Sequence, residues 1–469
     1  MPRVAAYSAG VFFHEPSSRA GRARGRYVSR VKTIRSIVLV GCTFIGGACS
    51  AKGPTSDFGT GAPDAGSTPT ADGGGGGTGD DGGVPNIGQD GGSTGHCQST
   101  DPNADMDHDG FTPMQGDCND CDPNVNPGAI DVLSHPDGGT PTWGDEDCSG
   151  TPGDSAKPCD QGLALTDVDP NDGAKAIELC AKATASDRKY GVLSAAYVRA
   201  NGTAFTNPNL QVGIQSAFGS NVHVQGGQNM LVLSTGHART VGQTGACNAI
   251  SCQTNPTGTP PTGFPQDDPA CPPTRAIADD IALELKIRVP TNAAGYSFSF
   301  KFYSFEFPDW VCDTHGYNDQ FIALVTPPPM GSYVPPGSPG GNISFDGNMH
   351  PVSVNLGFFD ACDPATPTRF ATHCRSGGGT CPATPSPYCP LGVGDLASTG
   401  FDTWHGTTGP AGATRWLQTQ APAKPGTEIT IRFAIWDAGN AQFDSTVLID
   451  DFQWLASAAV GTVPIPSPK

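Results

Sequence analysis

Apolar and polar side chains alternate in several segments of the C-terminal half of the chain. Apolar residues occupy every second position from Ala282 to Val289, and the same period recurs from Ile429 to Ile435 and from Val352 to Phe358. Successive side chains of a β-strand point to opposite faces of its sheet, so a period of two predicts strands that are buried on one face. The pattern therefore predicts antiparallel strands that cover an apolar core.

The segment SFSFKFYSFEF, residues 297–307, alternates in the same way but changes parity along its length. The first three phenylalanines share one parity, whereas Phe305 and Phe307 share the other. The inward face must therefore change near Tyr303, which predicts a bulge or a bend in this strand.

Loops rich in glycine and proline separate the strands, since the 469 residues include 63 Gly and 44 Pro. Short alternating strands between such loops are typical of sandwiches and jelly rolls. The predicted fold class is mainly β, with an antiparallel β-sandwich or jelly-roll-like domain over residues 190–457. A disordered linker and a small acidic metal-binding module precede it, and residues 458–469 are predicted to be a flexible tail.

One segment has the period of an α-helix. Small and apolar residues recur on one face from Pro170 to Ala183, and Asp172 is the predicted N-cap. Residues 156–189 are therefore interpreted as a short helical connector. Cys159 precedes the helix and Cys180 lies near its end, and we expect these two cysteines to form a disulfide.

Basic residues followed by a short apolar run mark the N-terminal segment. Four Lys or Arg residues between positions 26 and 35 precede SIVLVGCTFIGGAC, which is too short to span a bilayer. This pattern resembles a bacterial lipoprotein signal peptide over residues 1–48. A translation start near residues 28–31 is an alternative that would give a more compact signal.

Two cysteines compete for the lipid. Cleavage before Cys49 allows a normal apolar run and leaves fourteen other cysteines, an even set that suits disulfide pairing in an oxidising compartment. Cys42 has the better local consensus but would leave an odd thiol. We predict lipidation at Cys49, with Cys42 as the alternative and a lipid-free secretory signal as a further one. Residues 49–96, rich in Gly, Asp, Ser and Thr, are predicted to be a disordered tether.

Residues 97–155 form an acidic module. Asp105, Asp107 and Asp109 alternate and are followed by Gly110, so three carboxylates can converge while the chain turns at the glycine, with the Phe111 carbonyl as a further oxygen. Calcium-binding loops begin in this way. The twelfth position is Gly rather than Glu, so the segment is not an EF-hand.

The remainder of the module, GDCNDCDPNVNPGAIDV and GDEDCSG, resembles a short metal-binding repeat of secreted bacterial proteins that is named after an outer-membrane copper-binding protein. His108 in place of Gly, an additional Cys121 and an insert before Trp143 depart from its pattern. The loop pattern and the resemblance together imply these acidic ligands: Asp105, Asp107, Asp109, Asp117, Asp120, Asp122, Asp131, Asp145 and Asp147.

Calcium is the cofactor that this set of side chains favours. Carboxylates are hard ligands that suit Ca²⁺, whereas copper prefers the His and Met side chains that are scarce here. An acidic linker without metal and a site for another metal are the alternatives.

Four further segments resemble the choice-of-anchor L domain of bacterial surface proteins. They are GQNMLVLSTGHA at 227–238, SFEFPDW at 304–310, YNDQF at 317–321 and DAGNAQFDSTVLIDDFQW at 437–454. The resemblance covers residues 190–457 and implies surface association without a defined activity. Phe305 and Phe307 replace the Glu and Tyr that are usual in the second segment.

Acidic residues at strand ends of this domain suggest a possible second cation site, made by Glu306, Asn318, Asp319 and Asp444. In the alternative interpretation, these short polar side chains cap turns. Cys312 and Cys362 follow neighbouring predicted strands, so we expect them to bridge those strands or their loops.

Composition and motifs narrow the function. A formal net charge of -19 makes nucleic acid an unsuitable partner. The H-E-x-x-H motif of metalloproteases is missing, and the G-x-S-x-G pattern of serine hydrolases occurs at 91–95 without the preceding strand and following helix that it needs. We predict a non-enzymatic, calcium-stabilised binding or adhesion protein at the cell surface or outer membrane, or released from it. Its predicted partners are the membrane, through the lipid alone, and an unknown protein or glycan. A secreted hydrolase using Glu306 and Asp319, and a structural coat or matrix component, are the alternatives.

Overall fold

The computed structural model describes most of the chain after residue 99, and the described residues belong to one compact unit. The described ranges are 100–135, 139–208, 210–252, 256–267, 271–273, 276–345, 349–355, 359–365, 389–402, 410–456 and 465–466. The predicted signal peptide, the tether and both candidate lipidation cysteines lie outside these ranges.

Most of the regular structure is β. The strands are β1 (Leu133–Ser134), β2 (Thr142–Trp143), β3 (Gly191–Val198), β4 (Val212–Gln215), β5 (Ala217–Phe218), β6 (Val222–His223), β7 (Met230–Ser234), β8 (Ile277–Arg288), β9 (Gly295–Ser304), β10 (Gln320–Thr326), β11 (Gly341–Asn342), β12 (Val352–Ser353), β13 (Phe359–Ala361), β14 (Gly412–Thr414), β15 (Leu417–Pro422), β16 (Glu428–Ala438), β17 (Ser445–Leu455) and β18 (Ile465–Pro466). The helix α1 spans Pro170–Lys175, and 3₁₀ turns span Pro113–Gln115 and Gly394–Leu396.

The strands form two large antiparallel sheets. The first has the order β11-β10-β16-β8-β3, with β12 also paired to β10. The second has the order β13-β14-β9-β17-β7-β4, with β15 paired to both β9 and β18. The pairs β1–β2 and β5–β6 stand apart from these sheets.

Apolar side chains from the two sheets meet in one core. The ring of Phe298 on β9 packs edge to face against Phe433 on β16, with centroids 5.0 Å apart, and Phe300 lies 5.1 Å from Phe321 on β10. Burying a large apolar side chain contributes about 1.5–3 kcal/mol, so this aromatic layer is a main source of stability. The predicted fold class, a mainly β antiparallel sandwich, is confirmed.

The segments with alternating apolar residues form paired strands, as predicted. Leu283, Leu285 and Ile287 of β8 are fully buried and lie opposite the alternating apolar residues of β16. The bend expected near Tyr303 is present, because the chain bends at residues 305–306, directly after β9 ends at Ser304. Phe302 and Phe307 both belong to the main core despite their opposite parity, whereas Tyr303 and Phe305 pack in a second apolar cluster on the outer face of the sheet.

The predicted helix is too long, and its cap is misplaced. It ends at Lys175, and the side chain of Asp169, not Asp172, accepts the capping hydrogen bond from the Asn171 N–H. Tertiary contacts override the helical pattern: Ile177 is buried and its carbonyl accepts from the Phe452 N–H, while Glu178 has a left-handed φ of 65°.

Five disulfides lie within the described residues: Cys118–Cys148, Cys159–Cys180, Cys247–Cys252, Cys271–Cys312 and Cys362–Cys389. The expected bridge between Cys312 and Cys362 is wrong, because each pairs with a different loop. The spacing of cysteines along the chain does not reveal which loops become neighbours in a sandwich. No helix in the described part of the chain is long and apolar enough to cross a membrane.

Candidate metal centres

The loop from Asp105 to Phe111 folds around its own carboxylates. Asp107 accepts a hydrogen bond from the Asp109 N–H (3.2 Å), Asp109 from the Phe111 N–H (2.7 Å) and Asp105 from the Gly110 N–H (3.0 Å). Gly110 has a φ of 98°, which favours glycine. Each carboxylate thus gives one oxygen to the backbone and leaves the other for a ligand.

Two groups of carboxylates share Asp107. Oxygens of Asp105, Asp107 and Asp120 lie within 4.8 Å of one another, and so do oxygens of Asp107, Asp109 and Asp117. Asp105, Asp107 and Asp109 come from the loop at 105–109. Asp117 and Asp120 come from the segment around Cys118. Five of the predicted ligands are therefore brought together.

The free oxygens of this cluster, the Asp107 cluster, are buried. No hydrogen-bond partner within the described residues reaches Asp105 Oδ1, Asp107 Oδ2, Asp109 Oδ2 or Asp117 Oδ2. A buried carboxylate oxygen without a partner is costly, and a hard cation is the partner that suits several such oxygens at once. The residues present therefore fit calcium.

The electrostatics of the Asp107 cluster agree with this fit. Burial, followed by the charges of Asp107 and Asp117, raises the pKa of Asp109 to about 6. Burial and the neighbouring carboxylates also raise the pKa of Asp107 and that of Asp117. Without a cation, the ionised cluster repels itself.

A third group lies in the second half of the module. Oxygens of Asp131, Asp145 and Asp147 come within 4.8 Å of one another. Asp131 also accepts from the Ser155 N–H (3.3 Å) and Asp145 from the Gly150 N–H (3.0 Å), so the backbone partly satisfies this group.

Two predicted ligands have other surroundings. Asp122 accepts from the Asn124 N–H (3.0 Å), a turn contact, and is in none of the three groups. Phe111 lies in the loop with its ring buried. His108 is exposed with a φ of 65°, the left-handed conformation for which the usual glycine is suited.

The module is docked on the sandwich. The Asn292 side chain accepts from the Ile130 N–H (2.9 Å) and donates to the Ile130 carbonyl (2.8 Å), and the Thr291 N–H donates to the Gly128 carbonyl (2.9 Å). The Arg188 guanidinium also donates to the Gly110 carbonyl. The Pro-Gly-Ala step at 127–129 is therefore a docking segment.

In the sandwich, Asn318 and Asp319 bind backbone and side-chain donors. Asn318 accepts from the Asn355 N–H (3.1 Å), and Asp319 accepts from the Ala438 N–H (2.9 Å) and the Ser445 hydroxyl (2.6 Å). These contacts join segments 37 to 126 residues apart, so they connect strands and loops rather than cap a local turn.

Glu306 is bound to this network, because it accepts from the Asp319 N–H (3.3 Å). Burial, followed by the charge of Asp319, raises the pKa of Glu306 well above its usual value. Both carboxyl groups lie in the buried interior, which does not suit a catalytic pair that must reach a substrate.

A further cluster of buried carboxylates was not predicted from the sequence. Asp160, Glu178 and Asp450 lie around the backbone of Gly226 and Gly227, where a Cβ atom at Gly227 would stand 2.3 Å from Glu178 Oε1 and 2.7 Å from Asp160 Oδ2. Burial and mutual repulsion raise the pKa of Glu178 to about 9. The only signal in the sequence was an acidic pair at 450–451 inside an apolar strand.

Comparison with known families places this fold. The model of the choice-of-anchor L domain matches residues 188–452, more than half of the chain. The protein belongs to this family, and it is therefore a surface-associated, exported protein of a family that is not enzymatic. Neither the curated proteins nor the solved structures include a significant match to this chain.

Proposed function

We propose that this protein is a lipid-anchored binding or adhesion protein in which calcium stabilises the acidic module and the sandwich engages a macromolecule without catalysis. The single observation that supports calcium best is the set of four buried, unpartnered carboxylate oxygens in the Asp107 cluster. Anchoring through Cys49 is supported by the basic and apolar pattern before it.

Calcium would act on folding rather than on chemistry. Ca²⁺ takes six to eight oxygen ligands, and the two groups that share Asp107 offer five carboxylates from two segments. Extracellular modules bind it with a Kd of about 10⁻⁴ to 10⁻³ M. At a tenfold excess over Kd, one site stabilises the bound form by about 1.4 kcal/mol.

The position of the Asp107 cluster gives this stabilisation a role. Because the module is docked through Ile130 and Gly128 to the loop at 290–292, ordering the cluster also fixes the entry of the chain into the sandwich. The Cys118–Cys148 disulfide joins the two halves of the module. Calcium outside the cell would thus set how the sandwich is presented beyond the tether.

A partly exposed aromatic cluster supports a glycan among the possible partners. Trp310 lies 5.2 Å from Tyr317 and 5.6 Å from Phe443, measured between ring centroids, in the loops beyond the end of β9. All three rings are partly exposed, so their apolar faces can pack against a ligand. A protein partner is the other proposal.

Glycan and protein arrays probed with the lipid-free full chain, in calcium and in chelator, test this function. We expect a ligand whose binding falls by about tenfold in Trp310→Ala, a loss of about 1.4 kcal/mol. Trp143→Ala, at an exposed tryptophan of the acidic module, is the matched control and should bind normally. No ligand on either array would contradict binding and favour a coat or matrix component.

A further inference from the structure

Asp437 is a buried carboxylate that no donor among the described residues reaches with normal hydrogen-bond geometry. It lies near the end of β16, is 0 % exposed, and has the Thr235 hydroxyl and the Asp319 carboxyl group as its nearest polar neighbours. The nearby Thr235 hydroxyl is engaged elsewhere, since it contacts the Ser445 carbonyl (3.3 Å) and accepts from the Ser445 N–H (2.8 Å). An ionised side chain in this position needs a cation or a proton.

The neighbours of Asp437 are acidic. Asp444 precedes β17 and has one oxygen, Oδ1, that is buried without a partner, while its Oδ2 accepts from the Cys252 N–H (2.9 Å). Asp279 belongs to β8, beside the residue that pairs with Asp437. Within the described residues, neither Lys nor Arg forms an ion pair with Asp437 or Asp444.

Hydrogen bonds of Asp319 bring the segments that carry these carboxylates together. Its two oxygens accept from the Ala438 N–H, next to Asp437, and from the Ser445 hydroxyl, next to Asp444. In agreement, burial and then the charges of Asp319, Asp444 and Asp279 raise the pKa of Asp437 well above its usual value. The carboxylates come from the first sheet, through β8 and β16, and from the start of β17 in the second sheet. Their cluster therefore lies where the two sheets meet.

A cavity reaches the Asp444 side of this cluster. Asp444 lines this cavity, which has a volume of about 160 Å³, together with Ser234, His237 and Thr446. Arg239 also lines it, but its guanidinium donates to the carbonyls of Val212 and Ala238. Cys247 and Cys252 lie beside Asp444 and are joined in a disulfide, so they offer no thiolate.

We infer that Asp437 and Asp444 hold a structural divalent cation of the calcium class, which bridges the two sheets at the turn between β16 and β17. This site goes beyond the proposed function, because it uses none of the ligands of the acidic module. No three of its carboxylates approach within 4.8 Å of one another, unlike those of the Asp107 cluster. Water or carbonyl oxygens therefore complete the shell, as is common for calcium.

Counting bound ions tests the inference. Equilibrium dialysis of the full chain against millimolar calcium, with metal analysis, is compared for wild type, Asp437→Asn and Asp444→Asn, alongside thermal melts in calcium and in chelator. Each variant should bind one ion fewer per chain and show a smaller calcium-induced rise in Tm. In chelator, Asp437→Asn should melt no earlier than wild type, because it removes a buried acidic group from among other carboxylates. Asp444→Asn provides the test if Asp437→Asn does not fold.

Asp450→Asn is the matched control, since Asp450 is equally buried on β17 but its oxygens accept from backbone N–H groups. It should bind as many ions as wild type. Unchanged ion counts and unchanged calcium-induced rises in Asp437→Asn and Asp444→Asn would overturn the inference. Loss of ions in Asp107→Asn alone would support the acidic module and overturn this site, whereas loss in Asp437→Asn alone would do the reverse.

Discussion

At the scale of single residues, Asp319 joins the two sheets. Its carboxylate accepts from the Ala438 N–H of β16 in the first sheet and from the Ser445 hydroxyl of β17 in the second. A buried hydrogen bond contributes about 0.5–1.5 kcal/mol, and leaving its donor without an acceptor costs about 1–3 kcal/mol. One side chain therefore ties together strands that are not hydrogen-bonded to each other.

Replacing Asp319 should loosen this connection. Asp319→Ala is expected to lower the free energy of unfolding by about 3 kcal/mol, because two buried donors lose their acceptor. Chemical denaturation in chelator measures the loss. Asp363→Ala removes a carboxylate that accepts only within a loop (2.8 Å) and should cost less than about 1 kcal/mol. Equal losses in the two variants would contradict the bridging role.

Residue identities could be predicted where local chemistry determines them. The alternation of Asp105, Asp107 and Asp109 already implies convergent carboxylates, because the turn at Gly110 is local. The surroundings of Asp437 and Asp160 could not be predicted in this way, since the groups around them come from segments distant in sequence. An aspartate in an apolar strand shows only that something unusual is buried there.

At the scale of elements, the segment after α1 leaves the helix to place Glu178 against β17. Glu178 accepts from the Asp451 N–H (2.9 Å), and Asp160, Asp450 and Asp451 are the charged groups that face it. Burial and these charges raise the pKa of Glu178 to about 9, and burial raises that of Asp450 to about 7. The folded state therefore retains protons that the unfolded chain releases.

Because the folded state retains these protons, the free energy of unfolding should decrease as pH rises. A group whose folded pKa lies above its unfolded value stabilises the fold fully below the unfolded pKa and loses that contribution as pH rises through the folded pKa. In chelator, the free energy of unfolding should fall between about pH 4.5, the unfolded pKa of Glu178, and about pH 9, by up to about 1.4 kcal/mol per pH unit for each proton.

Glu178→Gln should reduce this slope, because the amide does not titrate. Urea denaturation at a series of pH values measures it. Glu284→Gln, which removes an ion pair with Arg432 on the neighbouring strand, should lower stability while keeping the slope. A slope that is the same in Glu178→Gln as in wild type would refute the assignment.

Strand positions were predictable because a period of two is imposed by the pleat, whatever the neighbours are. The helix was not, since Ile177 and Leu179 gain more from burial in the sandwich core than from continuing a helix. The bend after Tyr303 was predictable from the change of parity, but the second apolar cluster was not. This cluster covers the outer face of that sheet, so both parities of β9 are buried.

At the scale of the whole molecule, the chain combines a family sandwich with a docked acidic module behind a predicted tether. Fold class followed from the strand pattern. The docking did not, because the contact of Asn292 with Ile130 spans 162 residues and leaves no periodic signal.

The proposed anchor is testable by changing one atom. Cys49→Ser should release the protein from membranes, because a serine cannot carry the thioether-linked lipid, whereas Cys42→Ser should remain in the membrane fraction. Membrane fractionation with mass analysis of the N-terminal peptide measures both. Release by Cys42→Ser instead would assign the lipid to the alternative cysteine, and retention of both variants would argue against a lipid anchor.

Calcium uptake by the acidic module is measured most directly by titration calorimetry of the lipid-free full chain after chelation, with limited proteolysis in parallel. Wild type and Asp101→Asn, an exposed aspartate outside the three groups, should bind calcium at about 10⁻⁴ to 10⁻³ M. Both should become protected between residues 97 and 159.

Asp107→Asn should lose at least one ion and that protection, because Asp107 belongs to two of the groups. If Asp107→Asn binds the same number of ions with the same affinity as wild type, and chelator leaves its cleavage unchanged, the segment is a charged linker and not a calcium module.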